Sequence, residues 1–129
     1  VEKGLRFLLK AQDEEGFFAK DAPERQKMYA QAQATIALCE LYGMTRDESL
    51  REAVQKAVDF AEASQSRQGG WRYIPREDSD TSVTGWYVMA LISARMSGLS
   101  TDNRVLKKVE EFLTSVSHDA GSEYSYTPY

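Results

Sequence analysis

This chain of 129 residues carries a single cysteine, Cys39, and a single histidine, His118. One cysteine excludes an internal disulfide and leaves the redox compartment open. Basic residues are outnumbered, 16 Lys and Arg against 20 Asp and Glu, for a net charge of −4. With no cationic stripe to neutralise phosphates, a nucleic-acid surface is not expected. No apolar run approaches the roughly 20 residues that a membrane-spanning helix needs, and no signal-peptide pattern is present. Strand signals are missing as well, and no composition shift marks a domain break. The length suits one domain with a modest core.

What is there is a repeat. Lys3-Gly4, Phe7-Leu8, Gln12, Gly16 and Phe18 return as Lys56-Ala57, Phe60-Ala61, Gln65, Gly69 and Trp71, each displaced by 53 positions. A weaker third copy starts at Lys108 with Phe112-Leu113, has Ser117 where Gln is expected, and recovers as Gly121, Tyr124, Tyr126 and Pro128 against Gly69, Trp71, Tyr73 and Pro75. A fixed long period means one supersecondary unit stacked repeatedly. The repeats run over approximately 1–45, 46–99 and 100–129. The first is under way at Val1 and the third stops in its loop at Tyr129, so the chain is expected to be a segment of a longer protein.

Each repeat holds helices of two characters. Leu50, Val54, Ala57, Val58 and Ala61 lie on one helical face, with Arg51, Glu52, Gln55, Lys56, Asp59 and Glu62 opposite. Val105, Val109, Phe112, Leu113 and Val116 repeat that amphipathic pattern, and Leu5, Leu8 and Leu9 mark its first copy. The second kind has no continuous polar face: Ala30, Ala32, Ala34, Ile36, Ala37, Leu38, Cys39 and Leu41 in one copy, and Val83 through Met96 in the next. Such a helix is buried on most sides or lines a cavity. The spacing predicts helices at 1–12, 26–42, 46–64, 80–97 and 102–117. Thr45 with Glu48 reads as a capping box, and Gly43 and Gly98 as helix stops. Alternation of half-polar and all-apolar helices means an outer and an inner layer, curved into a solenoid or closed into a ring. The long connections at 13–25 and 65–79 are expected to have packing or functional roles.

The spacing Lys-Ala-x2-Phe-Ala-x3-Gln-x3-Gly-x-Trp, here Lys56 to Trp71, resembles the QW repeat of squalene and hopene cyclases. The wider group is the prenyltransferase and squalene-oxidase repeat family. The resemblance covers nearly the whole chain and implies an all-α fold, a partial α/α toroid of about two and a half helix pairs out of six. Ala61, Phe18 and Ser117 depart from the pattern. It implies that Gln12, Gly16, Phe18, Gln65, Gly69 and Trp71 are structural. A glutamine at a helix end can satisfy orphan backbone groups of a neighbouring repeat, glycine allows a tight reversal, and Trp71 offers a large packing face.

Protonating cyclases of that family carry Asp-x-Asp-Asp-Thr at the top of an inner helix. The nearest segment here is Asp78-Ser79-Asp80-Thr81, which puts Ser79 at the position of the acid. Serine cannot protonate an alkene or epoxide, so no catalytic residue is assigned, and Asp78 and Asp80 stand as the weak candidates. Asp80 or Ser79 is otherwise a helix N-cap. Family prenyltransferases hold zinc with Asp, Cys and His. Here Cys39 lies in an Ala-rich helix and no Asp-x-Cys occurs, so no metal or other cofactor is expected. A complement-type thioester element is also missing. Among the aromatics, Trp71/Tyr73 and Tyr124/Tyr126 recur in register as loop residues, whereas Trp86 and Tyr87 face Gln33 and Ala34 in the alignment and are the candidate binding residues.

The expected function is a non-catalytic binding or scaffold module of terpenoid-cyclase and prenyltransferase type. The alternative is part of an isoprenoid-processing enzyme whose catalytic repeats lie outside the chain. Uncovered inner-helix surface is expected to be met by a homo-oligomer, a two-fold dimer in the simplest case, or by further repeats of the same protein, and to accept an apolar small molecule.

Overall fold

The computed structural model describes residues 1–128, so Tyr129 falls outside it. Five α-helices dominate: α1 Glu2–Ala11, α2 Lys27–Thr45, α3 Arg51–Ala63, α4 Thr81–Met96 and α5 Asn103–Ser115. The chain is therefore largely all-α, and the helical periodicity marked all five. The strand signal absent from the sequence hides one small exception. Ser117–His118 (β1) pairs antiparallel with Glu123–Tyr124 (β2), in register Ser117 to Tyr124. Two residues per strand are too few for alternation to show, and a turn at Asp119–Gly121 closes the hairpin.

The starts of α4 and α5 follow aspartates. Asp80 Oδ1 accepts from Val83 N at 2.7 Å, and Asp102 caps α5 by accepting from Arg104 N. The capping box expected at Thr45 is not formed. Thr45 is the last residue of α2 and returns its hydroxyl to Leu41 O, while Asp47 accepts from Ser49 N at the turn before α3. Gly43 also does not stop its helix. It sits inside α2, where a Cβ would lie 2.6 Å from Ser97 Oγ, so glycine here permits close contact with the end of α4. The stop is instead Arg46 at φ 54°, a left-handed position for a non-glycine residue. Its guanidinium donates to Ser97 O at 2.6 Å, which ties that turn to the C-cap of α4. Gly98, at φ 81°, follows the C-cap of α4.

α2 and α4 form the centre. Tyr29 Oη donates to Ser82 Oγ near their starts, and Ser97 Oγ donates to Cys39 O toward their ends, so the two helices run parallel. α3 packs against both, and α5 against α4. The core contains Met28, Leu38, Val54, Val58, Trp71, Tyr87 and Leu91, all essentially inaccessible. The two helices without a polar face are thus the two most enclosed, as burial of apolar area requires. α1 has no buried residue. Its Leu5, Leu8 and Leu9 are only partly covered.

Candidate functional site

The two long loops are gripped in the same way, the first by α3 and the second by α5. Gln12 Nε2 donates to Ala53 O at 2.8 Å. Gln65 Nε2 donates to Val105 O at 2.8 Å, and also to Gly69 O within its own loop. Ala53 and Val105 lie in the first turns of α3 and α5, and a helical carbonyl keeps a second lone pair that a side-chain donor can use. Four residues on, Gly16 and Gly69 have φ of 93° and 97°. A Cβ on either would run into a backbone carbonyl, that of Lys56 for Gly16 and of Lys108 for Gly69. Glycine is required at both positions twice over, by backbone sign and by approach.

The second residue after each docking glycine is also held alike. Phe18 N donates to Gln31 Oε1 at 2.7 Å, and Gln31 Nε2 reaches back to Gly16 O. In the next repeat Trp71 N donates to Thr84 Oγ1 at 3.0 Å. Gln31 and Thr84 are 53 positions apart and both buried. Sequence reasoning missed this pair because the two side chains differ. The alignment that sets Trp86 and Tyr87 against Gln33 and Ala34 also pairs these two, but nothing in an amide and a hydroxyl side by side announces a shared role. Trp71 is enclosed, its Nε1 donating to Ala61 O at 2.8 Å and to Ser64 Oγ at 3.1 Å.

Tyr87, singled out for binding because the first repeat has no counterpart, is fully enclosed. It stacks on Trp71 with ring centroids 5.0 Å apart and planes at 7°, and its hydroxyl points at Met28 Sδ. It is a core residue that presents nothing to a ligand. Trp86 is only partly buried against the core. The missing counterpart does have a consequence. Ala34 stands where Tyr87 would be, beside Phe18 in place of Trp71, and an apolar groove of about 610 Å3 opens there, lined in part by Phe7, Leu8, Phe18, Ala30 and Ala34.

The candidate acids are occupied. Asp80 is buried, with Oδ1 on Val83 N and Oδ2 accepting from Tyr126 Oη at 3.0 Å. Asp78 Oδ2 pairs with Arg72 at 2.7 Å. Arg72 Nε stands 3.5 Å from Asp80 Oδ2, close enough for charge attraction but not hydrogen-bonded. The Arg72 guanidinium also lies over the Tyr73 and Tyr126 rings, at 5.1 and 5.7 Å, and the two phenols meet at 2.8 Å. Arg72 is the member of this group that the sequence did not single out. Tyr73 and Tyr126 are 53 apart, and here the repeat partners touch. Ser79, at the acid position of the resemblance, is buried between Ser66 Oγ at 2.7 Å and Gly70 N at 3.0 Å. Asp80 is the N-cap.

The remaining reactive side chains are apart. Cys39 is buried in α2, and desolvation, with Glu40 reinforcing it, pushes its thiol up to about 12. A thiol so rarely ionised is a poor nucleophile or metal ligand. His118 is exposed on β1 and shares a hydrogen bond of 2.6 Å with Ser125 Oγ. Among the described residues no three His, Cys, Asp or Glu side chains converge as a metal site.

Burial holds the Tyr87 phenol well above its ordinary range, and desolvation together with Tyr73 and Asp80 does the same for Tyr126. Both groups keep their protons longer folded than unfolded. Their contribution to stability is therefore full below the unfolded value near 10.0 and is lost as pH rises above it. In an alkaline titration, the phenolate absorbance of Tyr87, the enclosed one of the two, is expected to appear only together with loss of the helical signal. Full ionisation with the helices intact would contradict these placements.

Comparison with protein-family models, with characterised proteins and with solved structures finds no match to this chain. Among the described residues no helix is long and apolar enough to cross a membrane.

Proposed function

We propose that this chain is a helical-repeat scaffold module, of the α/α-toroid kind suggested by its QW-like spacing, that binds through apolar faces and performs no chemistry of its own. One observation carries the reading. Asp80, the acid nearest the position that the resemblance makes catalytic, divides its two oxygens between a helix cap and Tyr126. An acid that must protonate an alkene needs an open approach to it, and both oxygens of this side chain already accept hydrogen bonds within the protein. The recurrent Gln and Gly contacts support the same reading, since they join one helix pair to the next. So does the apolar groove beside Ala34, which is shaped to take apolar side chains or an apolar small molecule.

The test is turnover by the chain itself. Incubation with squalene and with isoprenyl diphosphates is expected to yield neither a cyclised product nor released diphosphate. A cyclised product that disappears in Asp80→Asn would overturn the reading.

A further inference from the structure

The connection between α4 and α5 is pinned to α3 at two places, and the two pins differ in charge. Gln55 and Ser100 bond both ways: Gln55 Nε2 donates to Ser100 O, and Ser100 N donates to Gln55 Oε1, each at 3.0 Å. Two turns along α3, Glu62 Oε1 accepts from Asp102 N at 2.7 Å. Seven residues separate the two side chains, so they leave the helix on the same side. The first pin is a neutral amide and the second is a carboxylate. A contact of this kind therefore needs no charge, and the charge at Glu62 calls for a reason of its own.

The surroundings of that charge do not favour it. Glu62 is half-buried. Its charged neighbours are Asp59 on α3, Asp102 at the start of α5 and Arg95 on α4, two acids and one cation. The cation is engaged elsewhere: Arg95 Nη2 donates to Asn103 Oδ1 at 2.7 Å, and its Nε reaches Thr101 Oγ1 at 3.5 Å. Arg104, the next cation along, folds back on Asp102. Among the described residues neither Glu62 nor Asp59 forms an ion pair. A half-buried carboxylate with one backbone N–H and no cation is costly to keep ionised. Leu9 and Ser115 stand 53 positions to either side of Glu62, so neither other repeat has an acid here.

We infer that Glu62 is a pH-sensitive latch between α3 and the start of α5: mild acid tightens the seat of the α4–α5 connection, and neutral pH loosens it. Once protonated, the side chain keeps a carbonyl oxygen for Asp102 N and gains an O–H that a neighbouring carboxylate can accept. The repulsion from Asp102 and Asp59 goes with the charge. Burial first, and those two acids after it, hold the Glu62 carboxyl above its ordinary 4.5, while the Asp102 N–H and Arg95 pull the other way. As pH falls, the folded chain thus takes up this proton before the unfolded chain does. The cost of the charge is absent below 4.5 and is felt in full once pH has risen through the folded value. Asp102 acts in the opposite sense in a lower window. Its hydrogen bonds from Arg104 hold it below 3.8, so the stability it adds is lost only as pH falls beneath that value. The junction is therefore tightest in mildly acidic solution.

Glu62→Gln tests the latch, because it keeps an acceptor for Asp102 N and removes the titration. Circular dichroism is expected to show an unchanged fold. Urea unfolding between pH 5 and pH 8 should give a midpoint for the unaltered chain that falls with rising pH relative to that of the variant. At pH 7 the variant should unfold at the higher urea concentration. Two local readouts place the effect. The Glu62 carboxyl carbon, followed by NMR, should titrate above 4.5, and Asp59→Asn should bring that titration down. Hydrogen exchange at Asp102 N, corrected for the intrinsic rate, should be slower at pH 5.5 than at pH 7 in the unaltered chain and equal at both in Glu62→Gln. A Glu62 carboxyl that titrates at or below 4.5 would overturn the inference. So would the same pH dependence of the midpoint in both chains, or a variant less stable than the original at pH 7. None of these results bears on turnover, which tests the scaffold reading separately.

Discussion

Trp71→Ala is expected to lower the unfolding free energy by about 3–5 kcal/mol, the range for removing a large buried aromatic side chain. Three losses combine. The indole leaves a void at the centre of the core, where almost no surface is accessible. Its stacking partner Tyr87 loses a face at 5.0 Å, and such pairs add about 0.5–1.5 kcal/mol beyond their area. Ala61 O and Ser64 Oγ lose the indole N–H that they accept. Phe at this position, as the first repeat has at Phe18, is expected to recover most of the packing but not the hydrogen bonds. Urea unfolding of the three forms separates those parts. An unfolding midpoint that does not move in Trp71→Ala would mean that the loop carrying it is not part of the core.

Gly16→Ala and Gly69→Ala are each expected to destabilise by about 3 kcal/mol or more, whereas Gly121→Ala should cost about 1 kcal/mol. All three glycines share a positive φ, so all three incur the backbone penalty. Only the first two would also drive a methyl group into a helix carbonyl, that of Lys56 on α3 or Lys108 on α5. The difference between the interior pair and Gly121 isolates the docking contact from the backbone effect. Equal losses at all three would mean that the loops are held by their own conformation and not by the neighbouring repeat.

The existence and order of the helices were legible because each is long and strongly patterned. The polar sides of α3 and α5 and the lack of one in α2 and α4 foretold which would be central. The ends were less legible. Gly43 looked like a stop because glycine commonly ends helices, but its missing side chain serves the contact with Ser97. Thr45 and Glu48 had the spacing of a cap, yet the chain leaves α2 through Arg46 in a left-handed turn that a distant carbonyl stabilises. No local pattern reports such a partner 51 residues away. At the candidate site, the aspartates were visible and so was the cap expected of Asp80. Arg72 and the hydroxyl of Tyr126 were not: the first turns back on Asp80 within its own loop, and the second reaches it only once the loop of the third repeat lies alongside. Tyr87 was read as local to a binding surface for want of a counterpart. The structure gives the absence another meaning, a filled position in one repeat and a groove in the other.

The claim at the centre of this account is that Asp80 holds the fold together, as the cap of α4 and the acceptor of the Tyr126 hydroxyl. Equilibrium unfolding of Asp80→Ala tests it most directly. Loss of a helix cap costs about 0.5–2 kcal/mol, and leaving the Tyr126 hydroxyl without its acceptor adds about 1 kcal/mol. The account predicts a total loss of about 2–3 kcal/mol, against less than about 1 kcal/mol for the partly exposed pair removed in Asp78→Ala. An Asp80→Ala chain as stable as the original would contradict it, and would leave a buried carboxylate with no structural reason to be there.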